Sequence, residues 1–321
     1  MSPAWEELVR RLTAFSSRIV SGKELLRVVL LLLAATVGGG VAFLATTTAP
    51  RSQEYSAYTD PQKPVISYLL SDPQNVAEFQ QRFALNAEEL SVVLGAIREE
   101  NEILSREYAE SELVVESGEG LPASEVQERI AASDYDERVR QAVARTKATI
   151  EAMLPAYLRH QLQVWVNAKW QQEVQEYNAE PTATLQAASR GKTFRVFATQ
   201  YRGYTRYEVA LPHRQLKSRG GYRIRIRNGE HRIRVPIKEV GPWNIHDNYW
   251  DKRRDMWKNL PRGKPEAEAA YYNNYHRGRD EFGRKVLNPA GVDLTPRAAR
   301  KLGLRKYQNA WVSLSLPRTR R

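Results

Sequence analysis

Two segments decide how this chain is read: Val235-Pro-Ile-Lys-Glu239-Val-Gly241-Pro242-Trp243-Asn244 and Asn288-Pro-Ala-Gly-Val-Asp293-Leu294-Thr295. The first predicts a strand that delivers a carboxylate to a Gly-Pro turn. The second predicts a short strand with its own carboxylate, followed by a helix that Thr295 caps, Pro296 opens and Gly303 stops. Asp293 lies between Val292 and Leu294, so its side chain points to the face opposite theirs. Two acids, Glu239 and Asp293, are thus placed on strand ends as a candidate site, although Asp293 also suits a cap for the helix that follows.

Further alternating segments surround this pair: Phe194 to Thr199, Tyr204 to Ala210, Tyr222 to Arg227, Glu230 to Ile237 and Trp311 to Leu316. Asn228-Gly229 is a hairpin signal, because a type I′ turn needs positive φ at both central residues. In Tyr222-Arg-Ile-Arg-Ile-Arg and His231-Arg-Ile-Arg-Val the apolar residues face inward and the arginines outward. Six strands and one short helix predict a small barrel over residues 185–317.

Between the two acids lies a long insertion, Ile245 to Leu287, where aromatic and basic residues interleave. Trp243, Asn244, Tyr249, Trp250, Arg253, Trp257 and Tyr272 are the candidate ligand-binding residues, since flat rings offer apolar faces to sugar or base. The competing reading is a loop that buries its own rings. His246, Asp247, Asp251, His276 and Asp280 have no zinc-type spacing, and no metal or other cofactor is expected.

Upstream, the period is helical. Asn86 with Glu89 predicts a capping box. Leu90, Leu94, Ile97, Asn101, Leu104 and Tyr108 follow a coiled-coil seam, which suits either self-association or packing within the chain. A second block, about Ser124 to Tyr177, is broken near Ser133 and at Pro155, and Trp165 and Trp170 are expected to be packing residues. Residues 84–180 are read as a helical stalk or small bundle, and 50–83 as a linker.

Val28 to Ala49 is an uncharged run of about 22 residues, long enough to cross a bilayer. Basic residues precede it, so residues 1–27 are expected in the cytoplasm and the rest outside, as a single-pass plasma-membrane protein. Charge divides along the chain: residues 51–190 hold 13 Lys+Arg against 23 Asp+Glu, and residues 191–321 hold 31 against 11, within an overall +12. The carboxyl-terminal part therefore suits polyanionic surroundings. The chain has no cysteine, which excludes disulfides and a thiol nucleophile.

Leu211-Pro-His213-Arg-Gln-Leu216, the Asn228-Gly229 hairpin, Glu239-Val-Gly241-Pro242, Val292-Asp293-Leu294-Thr295, Ala298 to Gly303 and Trp311-Val312 resemble, in that order, the double-psi β-barrel of the rare lipoprotein A and expansin group. The resemblance covers the barrel segment only. It implies a domain that binds or cuts cell-wall glycans, as lytic transglycosylases do with peptidoglycan. It matches His213, Glu239 and Asp293 to the family's histidine, turn acid and strand acid. Glu239-Val240 departs from the family's Asp-Arg, and the long insertion departs from its short link.

The sequence thus predicts an α+β chain: a transmembrane helix over 28–49, a helical stalk or bundle, and a six-stranded double-psi barrel with an aromatic and basic insertion. Three functions are compatible with it: a lytic-transglycosylase-like enzyme, a non-catalytic glycan-binding module, and a polyanion binder. Peptidoglycan or another wall polymer is the expected partner, and an outward-facing barrel argues against nucleic acid.

Overall fold

Alternation in the carboxyl-terminal third produces six strands, β1 Thr193–Gln200, β2 Val209–Leu211, β3 Arg223–Asn228, β4 His231–Val240, β5 Ala290–Leu294 and β6 Ala310–Ser315. They close into a mixed barrel in the order β1-β5-β2-β4-β3-β6. The β1/β5 and β2/β4 pairs are parallel. The remaining neighbours are antiparallel. This computed structural model describes residues 56–179, 193–201, 206–218, 221–306 and 308–316, all within one compact unit, Tyr55–Arg321.

Apolar positions of every strand meet inside the barrel. Val196, Ala198, Val209, Leu211, Ile224, Ile226, Val235, Ile237, Val292, Leu294, Val312 and Leu314 belong to one buried cluster, which Ala298 and Ala299 of a short helix, Pro296–Lys301, and its C-cap Leu302 also join. Thr295 caps that helix by accepting from the Ala298 amide, as the sequence predicts. The hairpin loop is Gly229-Glu230, one residue later than expected, and Gly229 supplies the positive φ, 52°.

Among the described residues six helices precede the barrel: α1 Val65–Leu69, α2 Pro73–Arg82, α3 Ala87–Ser117, α4 Ala123–Ala132, α5 Tyr135–Met153 and α6 Ala156–Ala179. Asn86 and Glu89 form the predicted capping box. The buried stripe of α3 is Val93, Ile97, Glu100, Leu104, Glu107, Ser111 and Val115, so Asn101 of the predicted seam is exposed. Glu100, Glu107 and Ser111 are the buried polar residues instead, and Glu100 accepts from the Ser67 hydroxyl. Arg138 on α5 pairs with buried Glu107, which fixes α3 against α5.

The transmembrane part of the expected architecture is corrected. Among the described residues no helix is long and apolar enough to cross a membrane. The longest, α3, carries glutamates from Glu88 to Glu116, which hydrocarbon would exclude. Residues 28–49 lie outside the described residues, as do 1–27. The single-pass anchor and the plasma-membrane location expected from them have no support in this structure.

The helices do not stand apart from the barrel. Trp165 and Trp170 of α6 are both core residues, as the sequence predicts. The insertion folds a further helix, Glu266–Asn273, whose Tyr272 ring stacks between Trp170, at 5.5 Å and 16°, and Tyr177, at 4.6 Å and 21°. One buried cluster therefore joins Phe79, Ile97, Val139, Trp165 and Trp170 to Trp243, Tyr271, Tyr272, Val286 and Ala290. The same insertion presses on β5 so closely that a Cβ on Gly291 would stand 2.6 Å from Pro265.

This shared core sets an expectation for a fragment of residues 185–321. Without α1 to α6 it exposes Trp243, Tyr271 and Tyr272, so it should bind a hydrophobic dye and melt without cooperativity, while the full chain melts sharply. Cooperative melting of the fragment by calorimetry would contradict the shared core.

Candidate functional site

Strand register brings the predicted acids into one row but not into contact. Asp293 lies opposite Thr199 on β1 and Ala210 on β2, and Ala210 lies opposite Glu239 on β4. All four side chains share the outer face of the barrel, because Val292 and Leu294 point inward. Glu239 thus stands two strands away from Asp293, about 10 Å at the usual strand spacing. A bulge in the β2/β4 pairing between Val209 and Ala210 places Glu239 in that row.

The charged group nearest in effect to Asp293 comes instead from α3. Asp293 is buried at 7% exposure and accepts a hydrogen bond from the Thr199 hydroxyl. Burial pushes its carboxyl up from 3.8 to about 7; the Thr199 bond opposes this shift and the negative charge of Glu112 adds to it. The carboxyl therefore holds a proton close to neutral pH. Tyr108, one turn before Glu112, lies under the same influence, and its hydroxyl is pushed well above the usual phenol range by burial and by Glu112.

A clamp fixes this corner. The Tyr108 hydroxyl accepts from the Trp243 amide at 3.0 Å, and the two rings meet edge to face at 4.7 Å. Gly241 faces the same hydroxyl: a Cβ there would lie 3.6 Å from it. Arg284, fully buried, donates to the Trp243 carbonyl, to Glu112, to Ser111 at 3.3 Å and to Asp280 at 2.7 Å. Burial works against its charge, but Asp280 and Glu112 more than offset it and hold the guanidinium protonated. The turn after Glu239 is thereby gripped at its amide by Tyr108 and at its carbonyl by Arg284.

His213 belongs to a different network. It is 3% exposed, with Nε2 2.9 Å from Asp255 Oδ2, and Asn248 donates to the other oxygen of Asp255 at 3.1 Å. Among the described residues no contact links His213 to Asp293. Its backbone forms an isolated antiparallel bridge with that of His246, whose ring bonds Glu281 at 2.8 Å.

The candidate ligand-binding residues are mostly interior. Trp243, Asn244, Tyr249, Trp250 and Tyr272 are all buried. Asn244 donates to Glu266 at 2.8 Å and accepts from the Glu281 amide at 3.0 Å, holding the insertion to itself. The Tyr249 hydroxyl donates to the Gly291 carbonyl at 3.1 Å. Trp257 is part-buried against Tyr275 and His276, while Arg253 is exposed. The insertion thus buries its own rings against helices and barrel. Among the described residues no group of three or more metal-ligand side chains comes together.

The structure adds four residues to this site that the sequence by itself does not single out: Thr199, Tyr108, Glu112 and Arg284. Tyr108 and Glu112 are one turn apart on one helix face, a spacing visible in the sequence, but nothing in it says that this face meets β5.

Residues 192–315 match the model of a family described as Domain of unknown function (DUF8814). No curated protein and no solved structure matches the chain.

Arg284 supplies a direct test of the clamp. Arg284→Met leaves Asp280 buried and unpaired, so urea denaturation should show a loss of about 3–5 kcal/mol. Asp280→Asn combined with Arg284→Met should recover part of that loss, because the orphaned charge is gone. A single variant as stable as the parent would exclude the clamp.

Proposed function

We propose that the barrel engages cell-wall glycan strands of the peptidoglycan type and that Asp293 is the acid with which it can cleave them. The observation that carries this reading is the placement of Asp293, buried on the outer face of β5 with the Thr199 hydroxyl as its donor and in the same cross-strand row as Glu239. A lytic transglycosylase needs one carboxyl that protonates the glycosidic oxygen and then, as carboxylate, takes up the proton of the muramyl hydroxyl that closes the anhydro ring. An acid poised near pH 7 can do both.

The resemblance to the rare lipoprotein A and expansin group supports the same reading. Its double-psi arrangement fits a barrel whose two parallel pairs, β1/β5 and β2/β4, are joined by antiparallel β2/β5. In this arrangement Glu112, whose side chain is 25% exposed, marks the solvent edge of the site and is the charged neighbour of Asp293. Glu239 is a second contact for the polymer along the same row, two strands away.

The test is to incubate the purified full chain with insoluble peptidoglycan, measuring released anhydromuropeptides and retained protein. Asp293→Asn should abolish release, and retention should persist. The same variant has a folding signature. Because the folded pKa is raised, the contribution of Asp293 to stability is fully present below about pH 4 and is lost as pH rises through about 7. The Asn variant should lose less stability across that window than the parent. Retention without release in the parent would leave a binding module, and neither retention nor release would overturn the proposal.

A further inference from the structure

The outer face of the β3-β4 ribbon carries Arg223, Arg225, Arg227, Arg232 and Arg234, all exposed. Ile224, Ile226, Ile233 and Val235 between them fill the barrel. Register sets Arg225 directly opposite Arg234 and Arg227 directly opposite Arg232. Like charges in that relation repel and weaken the ribbon. Among the described residues no carboxylate forms an ion pair with any of the five. Arg223 and Arg227 donate to backbone carbonyls, of Arg234 at 3.4 Å and Gly229 at 2.7 Å.

The fold has no need of this charge. Exposed charge can guard an unpaired strand edge against other chains. Here β3 is paired with β4 and β6, and β4 with β2 and β3, so neither has an edge to guard. Neutral polar residues would suffice on the wet side, as they do on β6, where Ser315 lies opposite Arg225 and Ser313 opposite Arg227. The hydroxyl row continues to Thr193 on β1, 2.8 Å from the Ser315 hydroxyl.

We infer that this face is a docking surface for a linear phosphodiester polymer of hydroxylated units, gripped through its phosphates by Arg223, Arg225, Arg227, Arg232 and Arg234. A guanidinium presents a planar fork that matches two phosphate oxygens at once. Alternate residues on a strand stand about 7 Å apart, so the two arginine rows form a repeating array that suits a repeating anion better than a single ion. The neighbouring Ser and Thr hydroxyls offer partners to a polyol.

Other polyanions fit less well. Base stacking needs open rings, but Trp311 lies beneath Arg195 at 4.2 Å and Tyr207 beneath Lys301 at 4.6 Å. A lipid surface calls for apolar residues that can insert, and among the described residues the large exposed ones, Val92, Leu113, Leu121, Tyr157 and Val164, are on the helical side. This docking face is separate from Asp293 and stands whether or not the barrel cuts glycan.

The experiment uses the full chain and a fluorescent poly(glycerol phosphate), with anisotropy measured over a series of salt concentrations. The triple variant Arg225→Ser, Arg227→Ser, Arg232→Ser should bind about tenfold more weakly or worse. Its slope of log affinity against log salt should be shallower by about 2, near 0.7 for each phosphate that is no longer neutralised. Its melting temperature should equal or exceed that of the parent, since repulsion is relieved, which separates weakened binding from impaired folding. Unchanged affinity and slope would overturn the inference. So would tighter binding of duplex DNA than of the polyol phosphate, or binding only to anionic phosphatidylserine vesicles.

Discussion

The fully buried guanidinium of Arg284 is the constraint on which the joint between helices and barrel depends. Taking such a charge out of water costs several kcal/mol unless its donors are met. Its four partners come from three parts of the chain: Asp280 in the insertion, Glu112 and Ser111 on α3, and the Trp243 carbonyl at the end of the β4 turn. Satisfying one side chain therefore requires three distant segments to meet. The rings around it, Tyr108, Trp243 and Phe282, lie 5.2 to 5.9 Å from its carbon and exclude water from the joint.

That joint also decides the chemistry of Asp293. A carboxylate on the outer wall of a bare barrel would be solvated and would keep its ordinary acidity. Covered by α3, it loses water, keeps a single hydroxyl donor and feels the negative charge of Glu112. The insertion buries other acids among its own residues. Asp247 is pushed up to about 6 by burial despite Arg254, and Glu266 is raised well above the carboxylate range by burial despite Asn244. The β3-β4 side, in contrast, presents exposed arginines.

Charge and period together separate helical from barrel residues in the sequence, yet the two parts pack as one unit. The reason lies in the insertion. Its aromatic residues read equally well as an open platform or as a core, because ring size and spacing are the same in both. Trp170, Tyr177 and Tyr272 come from segments about a hundred residues apart, and only their stacking shows that the rings face each other rather than a ligand.

From the sequence alone, local rules suffice for the strands, the capping box at Asn86 and Glu89, the helix that Thr295 caps, and the outward direction of Asp293 and the arginines. These depend on periods of two and 3.6 residues and on backbone groups a few positions away. They do not reach the partner of Asp293. Strand ends in the sequence pair it with Glu239, but closure of the barrel interposes β2 between them, and packing of α3 supplies Glu112 in its place. Register across a closed sheet and the docking of a distant helix are set by the sum of many non-local contacts, so only the tertiary structure decides which acids meet, which rings are buried and which cations face water.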